Sequence, residues 1–395
     1  MSSPQRSVLT SGFSPAADLD IAAEELLAAL VAIDSVNPSL VEGGAGEEQI
    51  AQFIARWLTE AGLEVELDHA APGRPSVVGI ARGTGGGRSL MLNGHIDTVS
   101  VVEMEDPFVP RVEDGRLYGR GSYDMKGGVA ACMLAAAHAA QAGLAGDVIV
   151  TAVADEEHAS LGCQSVLRRW TADACVVTEP TSLRVCVAHK GFAWARIAVA
   201  GRASHGSRPD LGVDAIAKAA PLLAGITRLD AALSERRHPL LGAGSVHGSR
   251  IGGGQELSSY PGECVLEIER RTLPGETEEQ VRAEVEELLA RARAEDPELE
   301  VSAEITLVRD SFEVDREEPI VRHLVAEAER LPGGSADVIG DHPWMDAAFT
   351  SAAGIPTVVF GPGGAGAHAA VEYGDLASVA HCARALLGTA KSFCG

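Results

Sequence analysis

The segment Leu90-Met-Leu92-Asn-Gly-His95-Ile-Asp97 joins an apolar run typical of a buried strand to an imidazole and a carboxylate. Helical patterns alternate with runs of this kind; the clearest is the amphipathic pattern from Glu47 to Ala61, which Gly62 ends. This alternation predicts an α/β fold with a mixed, largely parallel sheet. The other apolar runs in this half of the chain are Val65 to Leu67, Val77 to Ile80, Val148 to Val153 and Cys175 to Val177.

The composition indicates a globular protein whose charge argues against nucleic-acid and membrane partners. The 395 residues are 46% hydrophobic and 22% charged, which allows a large core and suggests two domains. A formal net charge of −24 repels phosphate backbones and anionic lipids. The uncharged stretch from Gly127 to Gly146 is rich in alanine, which favours an internal helix over a membrane span. Seven cysteines without a CxxC pair favour a reducing, cytoplasmic location.

A change of pattern near Lys190 predicts a second domain inserted into the first. From residue 192 to residue 308 the expected order is strand, helix, strand, helix, strand, with one more strand near Val246 to Ile251. This is the size of a small α+β domain. Helix-strand alternation resumes after Pro319. We therefore expect residues 1–190, which begin with a flexible N-terminal arm, and residues 310–395 to form one domain, with residues 191–309 inserted.

Side chains that can bind metals follow several apolar runs, where open α/β sheets build their sites. Taken singly, each has an ordinary explanation, such as a helix cap or a solvated turn. Together they supply two imidazoles and three carboxylates, enough for two divalent ions if one carboxylate bridges them. The five candidate metal ligands are His95, Asp124, Glu157, Glu179 and His368.

Two further carboxylates lie beside these candidates in the sequence. Asp97 follows His95 by two residues, so in an extended chain it can orient the imidazole from behind. Glu156 precedes Glu157, and one of an adjacent pair can bind metal while the other stays free as a base. Two ions about 3.5–4 Å apart can activate a shared water and polarise a carbonyl group. The pattern therefore predicts hydrolytic chemistry.

As an ordered set, these motifs resemble the co-catalytic zinc aminoacylase and peptidase family that includes acetylornithine deacetylase, succinyl-diaminopimelate desuccinylase and glutamate carboxypeptidase. The resemblance covers essentially the whole chain after the N-terminal arm, and it implies a zinc-peptidase-like catalytic domain formed by the first and last segments. It implies two divalent ions, zinc first and cobalt or manganese as alternatives, with Glu156 as general base. It also implies a cis peptide bond between Asp124 and Met125. The implied ligands are Asp124 as the bridge, His95 and Glu179 at one ion, and Glu157 and His368 at the other.

The same resemblance implies that the inserted segment is a ferredoxin-like lid and dimerisation domain. His205, in Gly201-Arg-Ala-Ser-His205, is then expected to reach the active site of the neighbouring subunit of a homodimer and stabilise the oxyanion. Arg271 is expected to bind a substrate carboxylate, although a salt bridge to Glu269 is the competing explanation. Ser258 stands where the family often has asparagine and is a shorter candidate for a hydrogen bond to the substrate.

Two other classes of protein compete with a hydrolase. Gly361, Gly363 and Gly366 form a GxGxxG pattern, but too few residues follow for the βαβ unit of a dinucleotide-binding protein. A non-catalytic metal-binding or carrier protein would need no free base, and Glu156 argues against it.

The substrate expectation rests on the resemblance. The run Glu179-Pro-Thr-Ser-Leu183 looks closest to acetylornithine deacetylase-like members. We therefore predict metal-dependent hydrolysis of the amide bond of an N-acyl amino acid. A dipeptidase or a glutamate carboxypeptidase-type peptidase is the alternative.

Overall fold

A computed structural model describes residues 18–395, so the expected arm at the N-terminus lies outside the described residues. The chain divides into two compact units. The first contains residues 18–187, together with Val314–Ile339 and Met345–Gly395. The second contains Ala188–Glu313 and Gly340–Trp344.

The strands of the described residues are, in chain order, β1 Glu64–Ala71, β2 Arg74–Ala81, β3 Leu90–His95, β4 Arg111–Glu113, β5 Arg116–Tyr118, β6 Val148–Val153, β7 Ala174–Val177, β8 Val185–His189, β9 Gly191–Ala200, β10 Arg237–His238, β11 Gly242–Ala243, β12 Ser245–Gly253, β13 Glu263–Thr272, β14 Val301–Arg309, β15 Phe312–Glu313, β16 Val338–Asp341, β17 Thr357–Val359, β18 Gly364–Ala365 and β19 Tyr373–Asp375. The helices are α1 Leu19–Val31, α2 Glu48–Glu60, α3 Lys126–Ala140, α4 Leu161–Leu167, α5 Ala215–Lys218, α6 Ala220–Leu233, α7 Glu278–Glu295, α8 Pro319–Glu329, α9 Ala347–Ala352 and α10 Leu376–Cys394.

The main sheet of the first unit is parallel at its centre and antiparallel at its edges. Its strand order is β1-β2-β6-β3-β7-β17-β8, and β6, β3, β7 and β17 run parallel to one another. β1 and β2 are antiparallel, as are β2 and β6. Every residue of β3, β6 and β7 is buried, which explains their nearly continuous apolar runs. The expected mixed α/β sheet is confirmed, and the carboxyl ends of four strands meet at one edge.

Helix α3 lies inside the first unit, as the sequence predicts for the alanine-rich stretch. All its residues from Lys126 to Ala137 are buried. A Cβ atom added at Gly128 would lie 2.2 Å from the carbonyl oxygen of Thr178, so the helix approaches this backbone too closely for any side chain. Among the helices of residues 18–395, none is long and apolar enough to cross a membrane.

A second, small sheet of the first unit joins two loops that are distant in sequence. Its order is β18-β19-β5-β4, and β19 pairs antiparallel with β5, so that Tyr373 lies opposite Tyr118. Tyr118 precedes the loop that carries Asp124, and Tyr373 follows the loop that carries His368. The glycine pattern that begins at Gly361 leads into β18 and not into a helix, so it lacks the structural context of a dinucleotide site.

The second unit is a ferredoxin-like α+β fold. Its four-stranded antiparallel sheet has the order β12-β13-β9-β14, and its elements follow the sequence β9-α6-β12-β13-α7-β14. The additional strand expected near Val246 is β12. Residues of α6 and α7 form one apolar core with the sheet, in which Ile197, Leu222, Leu266 and Leu288 are buried.

Candidate metal centre

The five expected metal ligands come together in the first unit. His95 ends β3, Glu157 follows β6, and Glu179 follows β7, so three adjacent parallel strands present their ends to one place. Asp124 lies before α3, and its peptide bond to Met125 is cis. His368 lies in the loop between β18 and β19.

Asp124 lies between the two imidazoles. Its Oδ1 atom is 3.2 Å from Nε2 of His95, and its Oδ2 atom is 3.4 Å from Nε2 of His368. A second carboxylate stands beside each histidine: Glu179 Oε1 is 3.7 Å from His95 Nε2, and Glu157 Oε2 is 3.1 Å from His368 Nε2. One carboxylate that faces two histidines through different oxygens has the arrangement of a bridging ligand.

Glu156 cannot be separated from the ligands by distance alone. Two groups of side chains have ligand atoms within 4.8 Å of one another: His95 with Glu156 and Glu179, and His95 with Asp124 and Glu157. The first group contains the expected general base. Distance alone therefore does not tell whether Glu156 is a metal ligand or a general base.

Burial and mutual repulsion raise the pKa values of the three glutamates of the site, whereas the imidazoles lower that of Asp124. Burial raises the pKa of Glu156 well above its usual range, and the charge of Glu179 adds to this. The pKa of Glu179 is likewise well above its usual range because of burial. Burial also raises the pKa of Glu157, against the effect of its hydrogen bond to His368. Within residues 18–395, the buried Oε1 atom of Glu157 has no hydrogen-bond partner. These carboxylates need a cation to remain charged together.

The negative charge of the neighbouring carboxylates also raises the pKa values of the two imidazoles. Burial would lower the pKa of His95, but Asp124 and neighbouring carboxylates reverse this and raise it well above its usual range. Hydrogen bonds to Asp124 and Glu157 raise the pKa of His368 to about 10. A field that favours a proton on both histidines favours a divalent cation more. Imidazole and carboxylate donors suit zinc, cobalt or manganese, so the residues fit the implied ions.

Asp97 links His95 to the turn that carries the candidate base. Nδ1 of His95 is 3.0 Å from the backbone oxygen of Asp97 and 3.6 Å from its carboxylate, so the carbonyl makes the shorter contact. The Asp97 carboxylate instead accepts the backbone N–H groups of Glu156 and Glu157, at 3.0 Å and 3.2 Å. The sequence predicted that Asp97 would lie behind His95. It did not predict the hydrogen bonds from the backbone of Glu156 and Glu157 to the Asp97 carboxylate.

Asn37 and Arg74 extend this network and were missed by the sequence analysis. Asn37 Nδ2 donates to Asp97 at 2.7 Å and to Asp155 at 3.0 Å. Arg74 donates to Asp155 at 2.7 Å, to Asn37 Oδ1 at 3.1 Å, and through two nitrogens to Glu47. All five side chains are buried. Arg74 is the first residue of β2 and precedes the apolar run Val77 to Ile80, so the hydrophobic pattern gave no signal of its burial.

Asp346 was also missed. It is 1% exposed and precedes α9, where its side chain makes no capping hydrogen bond. Burial raises its pKa to about 6, and its charge contributes to the raised pKa of Glu156. Asp346 follows no apolar strand, so a rule based on strand ends cannot find it.

The candidate substrate residues lie in the second unit. His205 is exposed, and both of the hydrogen-bond contacts of its ring go to Nδ1, which is 2.8 Å from Oγ of Ser207 and accepts the backbone N–H of Ser207 at 3.2 Å. The N–H of Gly206 donates to the carbonyl oxygen of Ser258 at 2.6 Å, so Ser258 lies beside the His205 turn. Arg271 donates through Nε to Glu269 at 2.7 Å. The competing salt bridge is therefore present.

Comparison with known proteins identifies the family. The model of "Peptidase family M20/M25/M40" matches residues 91–392. The chain belongs to this family. The M20 chain is a hydrolase of linear amide bonds, as its motifs predicted, and the dinucleotide-binding and carrier interpretations are excluded.

The M20 chain is similar over most of its length to two deacylases. The N-formyl-4-amino-5-aminomethyl-2-methylpyrimidine deformylase of Bacillus subtilis is 29% identical over 382 residues, which cover 88% of this chain and 89% of the relative. The acetylornithine deacetylase of Myxococcus xanthus is 30% identical over 387 residues, 93% of this chain and 97% of the relative. The fold resembles that of the Bacillus subtilis YXEP protein, "a Dinuclear Metal Binding Peptidase from M20 Family", with a TM-score of 0.72, 17% identity, and coverage of 95% and 99%.

Proposed function

We propose that this M20 hydrolase is a two-metal deacylase that cleaves the amide bond of N-acyl amino acids. The observation that supports it most is the position of Asp124, whose two oxygens face His95 and His368 at 3.2 Å and 3.4 Å. Glu179 beside one histidine and Glu157 beside the other complete two matching halves. We propose zinc as the native metal, with cobalt or manganese as alternatives.

In this proposal, bound ions polarise the substrate carbonyl and lower the pKa of the attacking water. Glu156 takes the proton from that water and passes it to the leaving amine. Its backbone N–H is held by Asp97, and its raised pKa suits a group that must both accept and return a proton near neutral pH. Asp97 and Glu156 thus act as a unit, one fixing the turn and the other moving the proton.

We propose further that the protein is a homodimer in which His205 of one subunit acts at the metal centre of the other. In this proposal Nε2 of His205 donates the hydrogen bond that an oxyanion requires, while Nδ1 accepts the backbone N–H of Ser207. Arg271 uses only Nε in the hydrogen bonds of the described residues, so its two terminal nitrogens can receive a substrate carboxylate. Ser258 lies beside the His205 turn as a weaker candidate contact.

The substrate class is the finer part of the proposal. Both relatives described above, at 29% and 30% identity, are named as deacylases, one a deformylase and the other a deacetylase. They favour removal of a short acyl group over peptide cleavage, which remains the alternative. All seven cysteines are buried, and none of them forms a disulfide bond in the described residues, in agreement with the proposed cytoplasmic location.

A substrate panel tests this proposal. N-formyl and N-acetyl amino acids, their methyl esters, and dipeptides would be compared with added zinc, cobalt or manganese, by release of free amine. We expect the highest kcat/KM for an N-acyl amino acid with a free carboxylate, and we expect Arg271→Ala to remove the preference over the ester. Faster cleavage of dipeptides would establish the alternative.

Mixed dimers test the action of His205 across subunits. Inactive His205→Ala and Glu156→Gln proteins would be mixed under conditions in which differently tagged chains demonstrably exchange. Hybrid dimers contain one site with both residues intact, so activity should return. If exchange occurs without recovery, the role across subunits is wrong.

A further inference from the structure

We propose that Arg120 and Glu372 form a clamp that positions Asp124 and His368, the two ligands that reach the metal centre on loops. This inference rests on the proposed two-metal function. Both clamp residues are positioning residues, because neither side chain points to the metal-binding atoms; they hold the backbone behind them.

Glu372 binds the loop that carries Asp124. Its carboxylate is fully buried and has four donors. Oε1 accepts the backbone N–H groups of Tyr123 and Asp124, at 2.9 Å and 3.0 Å. Oε2 accepts the N–H of Gly121 at 3.1 Å and Nη1 of Arg120 at 2.6 Å. A residue near His368 in sequence therefore fixes the peptide of the bridging ligand.

Arg120 makes the reverse connection. It belongs to the Asp124 loop, is 2% exposed, and donates through Nη2 to the carbonyl oxygen of Ala369 at 3.1 Å. Ala369 directly follows His368. Nε of Arg120 also donates to the carbonyl oxygen of Ser100 at 3.1 Å. Each loop thus holds the other through a buried charged side chain, across about 250 residues of sequence.

The His368 loop needs such a connection because its own packing is poor. Residues 367–371 are all exposed, and the side chain of His368 is 56% exposed. β18 and β19, which flank the loop, are joined by only two residue pairs. Glu372 is the first buried residue after His368, so the loop is anchored where the carboxylate receives its four donors.

A purely structural ion pair is the competing explanation. A buried pair adds little net stability over apolar residues of the same size, although removing one partner is destabilising. If the pair has only a structural role, breaking it should lower the free energy of unfolding, and both metal-binding steps should be unchanged or equally weakened. A clamp would weaken the step that uses His368. The test must therefore resolve the two steps.

The experiment titrates Co²⁺ into metal-free protein, followed by calorimetry and by visible absorption. His368→Ala identifies which of the two steps uses His368. Glu372→Gln keeps the shape of the side chain but offers the three backbone N–H groups and Arg120 an uncharged amide in place of a carboxylate. Glu276→Gln in the second unit is the matched control, because Glu276 also accepts from an arginine, Arg270, and from a backbone N–H, that of Leu273.

We expect Glu372→Gln to weaken the His368 step about 10–100-fold, the scale for groups that orient metal ligands. The other step should weaken less, because Asp124 faces both histidines but only the His368 loop is itself anchored at Glu372. The control should change neither step. Unchanged binding, equal weakening of both steps, or weakening of the other step alone would overturn the clamp. Failure of the unsubstituted protein to bind two ions would instead overturn the proposed function.

Arg120→Lys is the second variant. It tests the clamp if Glu372→Gln lacks a cooperative unfolding transition and is therefore not properly folded. Lysine keeps a charge opposite Glu372, but its single nitrogen cannot reach Glu372, Ala369 and Ser100 together. We expect the same step to weaken as in His368→Ala. Wild-type affinity at both steps would contradict the clamp.

Discussion

His95 and His368 offer the same imidazole group to the metal centre from opposite surroundings. The His95 side chain is 1% exposed and ends a buried strand, whereas that of His368 is 56% exposed and lies on a loop. Packing and the Asp97 network hold the first. Beside the second, Arg120 donates to the backbone carbonyl of Ala369, and Glu372 ties the His368 loop to the Asp124 loop by accepting the N–H of Asp124. One kind of ligand is therefore positioned by two different means.

Because of this difference, the half of the metal centre at His95 and the half at His368 should be sensitive to different substitutions. The buried half depends on side chains inside the main sheet, such as Asn37, which donates to Asp97 and Asp155. The exposed half depends on connections between loops. Substitutions behind each histidine should therefore weaken different metal ions.

The largest expected effect is a loss of kcat, and it distinguishes the role of Glu156 from that of its neighbour Glu157. Glu156→Gln should retain both ions and lose about 10²–10⁴-fold in kcat, because it removes the base that moves the proton. Glu157→Gln should weaken the ion at His368, which it faces at 3.1 Å. Metal content measured beside kcat checks both variants. Loss of metal from Glu156→Gln but not from Glu157→Gln would reverse the two roles.

A smaller effect is expected behind His95. Asn37→Ala removes the donor to Asp97 and should weaken the ion at His95 by about 10–100-fold, with little change at His368. Thr357→Val is the control, since it removes a buried hydrogen bond at the opposite end of the parallel strands. Cobalt titration resolves the two ions. If Asn37→Ala and Glu372→Gln each weakened the affinity for both ions equally, the two histidines would not be positioned by different means.

The smallest expected effect is on pH dependence. In the metal-free protein the pKa of His368 is about 10, so its ring carries a proton at neutral pH that a metal ion must displace. Metal affinity at this half should therefore rise with pH, by up to roughly tenfold per unit for each proton displaced. Calorimetry in buffers of different ionisation enthalpy counts the protons, and His368→Ala should release fewer. Affinity that does not change between about pH 6 and about pH 8 would contradict this.

The sequence predicts the part of the site that follows from strand geometry. His95, Glu157 and Glu179 were found because β3, β6 and β7 are parallel neighbours whose apolar runs end at one edge. The amphipathic pattern likewise predicted α2. The element order predicted a small α+β domain, and the family resemblance implied its ferredoxin-like fold.

The residues behind the ligands could not be predicted in this way. Asn37 and Glu372 follow no apolar strand, and their partners lie 60 and 248 to 252 residues away in sequence. Arg74 is the first residue of β2, before its apolar run, and a charged residue at a strand end is normally expected to be exposed. Such residues become recognisable only when the folded chain brings their partners to them.

Removal and return of metal tests the central claim most directly. The protein would be chelated exhaustively, shown to be metal-free by elemental analysis, and assayed on the best N-acyl amino acid before and after addition of zinc, cobalt or manganese. The proposed metal centre predicts that hydrolysis disappears and then returns as the two halves fill. Full hydrolysis by protein shown to be free of metal would contradict it.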